Sequence, residues 1–138
     1  NRSVVISPVG KTPPVINGAA GFGLLYLECM PGNGVPNHNH DTNETFSVIT
    51  GRWLFHWGET IEQDRPDNQV ELGPLDVISF PAGVLRRFEN VEGRAADQPG
   101  MLLGVIAGDA PSAEYTEDFN DKLRELGVLP ARTAPAAT

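Results

Sequence analysis

Two of the three histidines in the chain, His38 and His40, stand two residues apart, and Glu44 follows four residues later. On an extended backbone, positions i and i+2 point to the same face, so both imidazoles can enter one pocket. Glu44 shares their parity if the next strand begins directly. Two neutral imidazoles and one carboxylate form a facial ligand set that suits Fe(II), Mn, Ni, Zn or Co, with about 2.0–2.2 Å from zinc to each ligand atom as the scale. The expected cofactor is therefore a divalent transition metal, its identity open, and three protein ligands leave positions for water or substrate. Asn37, Asn39 and Asn43 surround the histidines, so a solvated turn is the competing reading.

Short apolar stretches separated by Gly, Pro or Asn must position this triplet. They run Val4 to Ile6, Phe22 to Met30, Thr45 to Thr50, Trp53 to Trp57, Gln69 to Leu72, Leu75 to Phe80, Leu85 to Val91 and Met101 to Ala107. Trp53, Phe55 and Trp57 alternate with Leu54 and His56, as a half-buried strand requires. With no helices between strands to cover a parallel sheet, a closed or two-sheet all-β fold follows. Residues 58–68, polar and carrying Pro66, read as an exposed hairpin loop. After Gly108 the pattern changes: Tyr115, Phe119, Leu123 and Leu126 fall at helical spacing, and Gly127 sits where a helix commonly stops. The spacing predicts an amphipathic helix over 111–127, docked on a barrel of residues 1–110, and a flexible tail over 128–138.

The 138 residues fit one domain with its own core. Ten basic against eighteen acidic residues give a formal charge of −8, a field that repels phosphate backbones and anionic lipid, so neither nucleic acid nor membrane is an expected partner. The apolar run from Met101 to Ala107 is far short of a membrane span, and the first twenty residues lack the order of a signal peptide. A cytoplasmic location is the expectation. The single cysteine, Cys29, excludes an internal disulfide framework and reads as a small buried hydrophobe.

The run GNGVPNHNHDTNETFSVITG resembles the first motif of the cupin superfamily, Gly-x5-His-x-His-x3-Glu-x6-Gly, matched without a gap by Gly32, His38, His40, Glu44 and Gly51. A second motif is similar in GPLDVISFPAGVLRRFEN, where Pro81, Gly83 and Asn90 keep the family's spacing and Asp76 follows Gly73 by three instead of forming a Gly-Asp pair. The resemblance implies a jelly-roll β-barrel with a C-terminal helix and a small-molecule ligand, and small cupins commonly form homodimers by sheet packing. It implies no particular reaction, since cupins include dioxygenases, isomerases, lyases, binding proteins and storage proteins.

One departure bears on chemistry. Where the second motif supplies a further histidine ligand, this chain has Arg86, whose guanidinium has no lone pair for a metal. Two readings follow. In the first, His38, His40 and Glu44 hold a metal and Arg86 clamps an oxygenated or anionic substrate, Glu44 and Arg86 being the candidate catalytic groups of an oxygenase, lyase or isomerase. In the second, Arg86 pairs with Glu44, and the chain is a metal-free binding module for an anionic small molecule. Arg87, next to Arg86 on a strand, must face the other way and reads as a surface or interface charge. Trp53 and Phe55 are candidate ligand contacts, although aromatics alternating on a strand are usually core. His56 lies on the face opposite them and reads as a surface or subunit-contact residue.

Overall fold

Inward and outward side chains alternate along nearly every strand, and the strands close into two facing antiparallel sheets. The computed structural model describes residues 2–5, 20–59, 68–109, 111–127 and 129. In chain order the elements are β1 (Arg2–Val5), β2 (Phe22–Cys29), β3 (Gly34–His40), β4 (Glu44–Thr50), β5 (Arg52–Gly58), β6 (Asn68–Leu72), β7 (Val77–Phe80), β8 (Leu85–Glu92), β9 (Gly100–Ala107), β10 (Ala113–Tyr115) and α1 (Glu117–Glu125). The first sheet has the order β1-β2-β9-β4-β7 and the second β10-β3-β8-β5-β6. Consecutive strands repeatedly sit in opposite sheets, which is the jelly-roll pattern of an all-β protein with one short helix. Within the described residues no helix is long and apolar enough to cross a membrane.

The space between the sheets is filled by Cys29, Phe46, Val48, Trp53, Phe55, Phe80, Phe88 and Leu102, all buried. Phe88 is the hub, with ring centroids 4.8 Å from Phe46, 5.2 Å from Phe55 and 6.2 Å from Trp53. Trp53 and Phe55, expected as ligand contacts, are thus fully buried parts of this aromatic core. Cys29 is buried as anticipated, and its carbonyl accepts a 2.7 Å bond from the buried amide of Asn90, which ties β8 to β2.

Two strands departed from the apolar pattern. β3 (GVPNHNH) is too polar to read as a strand, yet it pairs with β8 through a register irregularity between Val35 and His38. The helix expected from 111 begins instead after Thr116, because residues 113–115 pair with β3 in the register Ala113↔His40 and Tyr115↔His38. The apolar spacing misled for a physical reason: the Tyr115 ring does meet Phe119, at 5.2 Å, but across a strand-to-helix junction. The helical stop at Gly127 (φ 70°) is where the spacing put it. Leu75, read as the start of a strand, lies in a turn at φ 75° and is exposed. Most of the loop expected over 58–68, and the tail from 130, lie outside the described residues.

Candidate metal centre

The turn at residues 41–43 carries the chain from the second sheet to the first, so the end of β3 faces the start of β4. Backbone contacts pin it: Gly83 N donates to the His40 carbonyl at 2.8 Å, Ala107 N to the Asn43 carbonyl at 2.9 Å, and Ala82 N to Asn43 Oδ1 at 3.1 Å. The motif glycines Gly32 and Gly51, which frame the two strands, both have φ above 80°, a conformation a side chain resists.

This sheet-to-sheet turn brings His38, His40 and Glu44 together, with ligand atoms all within 4.8 Å of one another. His38 and Glu44 are buried and His40 partly so. His38 Nδ1 lies 2.8 Å from the Pro36 carbonyl, and His40 Nδ1 lies 2.6 Å from that of Ser112. A carbonyl only accepts, so Nδ1 carries the proton in both rings and Nε2 is the atom each presents to the centre. Burial, above all, pulls His38 down to about 4, against the Pro36 bond and helped by Arg86 and His40, so its imidazole is neutral at physiological pH. His40 Nε2 faces Glu44 Oε2 across 3.6 Å, an arrangement that a shared cation stabilises and two lone pairs do not.

Arg86 is completely buried behind Glu44. Its Nε and Nη2 donate to Glu44 Oε2 at 3.1 and 2.9 Å, its Nη1 donates to the Val84 carbonyl at 2.8 Å, and its guanidinium lies 5.5 Å from the Phe80 ring centre. Each guanidinium nitrogen thus donates within the protein, to Glu44 or to the Val84 carbonyl, so the role of substrate clamp expected of Arg86 would need one of these bonds to be exchanged or a second N–H of an Nη group. The Arg86–Glu44 pair and the converged triplet coexist, because both donated bonds fall on Oε2 and Oε1 accepts none among the described residues. Two Nε2 atoms and the Glu44 carboxylate fit a divalent first-row ion with three protein ligands, and the guanidinium excludes a fourth.

A cavity of about 220 Å³ opens beside the triplet. It is smaller than the ~300–1,000 Å³ typical of sites for drug-sized ligands. Leu25, Leu27, Val35, Phe46 and Ile106 are among its apolar lining residues, and Tyr115 lies at it with its ring 5.7 Å from His38. Burial, and then the Glu44 charge, push the Tyr115 phenol up, so it stays a hydrogen-bond donor at neutral pH. Sequence reasoning missed Tyr115 and the Ser112 carbonyl because both lie in the segment read as helix; β-pairing to a histidine-bearing strand leaves no local signal. Arg87 and His56 face away from this cavity, as their parity required, but His56 is buried rather than at the surface.

No family model matches the chain, and no curated protein does. Solved structures do match. A Klebsiella pneumoniae protein with a double-stranded β-helix domain is 17% identical at TM-score 0.58, covering 74% of this chain and 75% of its own. The vicilin from Solanum melongena, whose structure holds different anionic ligands in structurally similar pockets, is 18% identical at TM-score 0.56, covering 69% of this chain. The DMSP lyase DddQ from Ruegeria pomeroyi is 25% identical at TM-score 0.50, covering 70%. The chain spans only 24% of that vicilin and 45% of that lyase. These likenesses, with the two facing sheets, define the cupin fold, and this chain has it.

Proposed function

We propose that this chain is a small metal-dependent cupin enzyme, acting on a small oxygenated or anionic organic molecule by chemistry of the oxygenase, lyase or isomerase type. The observation that carries the reading is the convergence of His38, His40 and Glu44 within 4.8 Å at the head of a cavity. His38, His40 and Glu44 would hold a divalent ion there, which would supply Lewis acidity to a bound substrate oxygen. The chain's own groups do the rest. The Pro36 and Ser112 carbonyls fix the imidazole tautomers, and Arg86 holds Glu44 by one oxygen, so the carboxylate keeps lone pairs for coordination. The apolar wall excludes water and favours a substrate with a small hydrocarbon body. Tyr115 supplies the polar group, donating its phenol proton to a substrate oxygen and stabilising charge that develops there. That a vicilin and a lyase share the fold leaves the reaction type to the site.

The Arg86–Glu44 pair favours a second reading, a metal-free module that binds an anionic small molecule without turnover. Metal analysis of protein purified without chelator or added metal, then reconstituted, discriminates the two. Near-stoichiometric metal in the parent, lost in both His38→Ala and Glu44→Ala, supports the enzyme; no metal in the parent even after reconstitution favours the binding module.

A further inference from the structure

Outside the barrel, between the outer face of the second sheet and α1, lies a cleft of about 240 Å³ lined by His56, Arg87, Glu89, Pro36 and Phe119 among others. His56 on β5 and Arg87 on β8 are direct cross-strand partners, so their side chains stand together on that face. His56 is only 6% exposed and makes no hydrogen bond among the described residues. Arg87 makes no ion pair there, and its Nε–H is buried without any hydrogen-bond partner. A buried donor on a permanently charged group is costly to leave unpaired, and natural structures seldom keep one without use.

We infer that this cleft binds the carboxylate of a small monoanionic molecule with a flat apolar body, Arg87 and His56 being the donors. Arg87 lines the cleft, and a guanidinium offers parallel N–H donors to the two oxygens of a carboxylate, its buried Nε–H being reached only as the side chain shifts towards the anion. His56 adds a ring N–H at the side. Burial, and then the neighbouring Arg87 charge, depress its protonation against the opposing pull of Glu89, and an anion between His56 and Arg87 adds to that relief. Phe119 and Pro36 offer apolar surface for the body of the ligand. Glu89, exposed on the same face, sets the charge limit: it repels a dianion more than a monoanion, so carboxylate is preferred over phosphate.

The test is an NMR titration of the full chain with benzoate, and with inorganic phosphate at matched ionic strength, following the Arg87 Nε–H and His56 ring signals. Expected is a saturable shift with benzoate, absent in a folded Arg87→Gln variant, and binding of phosphate about tenfold weaker or more. Glu89→Gln, a surface change, is expected to tighten phosphate roughly threefold. The inference is overturned by the absence of a saturable benzoate shift, by a shift that survives in Arg87→Gln, by phosphate binding as tightly as benzoate, or by phosphate affinity unmoved in Glu89→Gln. The last comparison stands even if Arg87→Gln fails to fold.

Discussion

Replacing Arg86 by Met keeps most of the side-chain volume and removes the charge that neutralises Glu44. Arg86 is wholly buried and Glu44 only 4% exposed, so water cannot take over the three donated bonds. Breaking a buried ion pair by deleting one member costs about 3–5 kcal/mol, because the remaining charge is stranded. At roughly 3–5 °C per kcal/mol for a domain of this size, the metal-free protein should melt ~10–20 °C lower. The deficit should shrink in the presence of Mn(II) or Zn(II), since a cation on Glu44 replaces the lost positive charge and no longer competes with it. Urea unfolding and thermal melts of parent and variant, with chelator and with metal, measure both effects. A metal-free penalty below about 1 kcal/mol would refute the claim that Glu44 depends on Arg86 for its buried charge. A penalty untouched by metal would refute the claim that Glu44 is a ligand.

Arg86→His adds a third imidazole, and so a fourth protein ligand, and should slow metal loss to chelator relative to the parent; unchanged or faster loss counts against Arg86 lying at the ligand position. His38 is depressed from 6.5 to about 4, so between those values the unfolded chain binds a proton that the folded chain refuses. Its contribution is fully present above the unfolded value and lost as pH falls through the window, on the order of 3 kcal/mol in metal-free protein. His38→Gln should flatten that part of the urea-midpoint profile, and parallel profiles would contradict it. Leu75→Gly should stabilise by about 1 kcal/mol, because an exposed leucine at φ 75° gains nothing from its side chain and bears the left-handed penalty; an unchanged denaturation midpoint would say that the turn is unstrained.

The barrel was legible wherever strands bury one face, since Phe46, Val48, Trp53, Phe55 and Leu102 keep the period-two pattern that burial imposes. It was illegible where a strand earns its place by pairing alone. β3 carries Pro36, Asn37 and Asn39 and buries only His38, and β10 has no buried residue. The triplet could be read from spacing because i, i+2 parity and a short turn suffice to converge it. Arg86's placement could not: both readings allowed a guanidinium near Glu44, and only the geometry shows it engaged from behind with every nitrogen donating within the protein. Leu75 shows the same limit from another side, since a backbone conformation normally given to glycine is kept here with a leucine.

Anomalous diffraction from crystals of the protein purified without chelator is the most direct test of the metal assignment. One strong anomalous peak is expected inside the barrel, about 2.0–2.2 Å from His38 Nε2, His40 Nε2 and a Glu44 carboxylate oxygen, with the Arg86–Glu44 pair still in place. Metal-soaked crystals with no peak there, and only the guanidinium on Glu44, would contradict it.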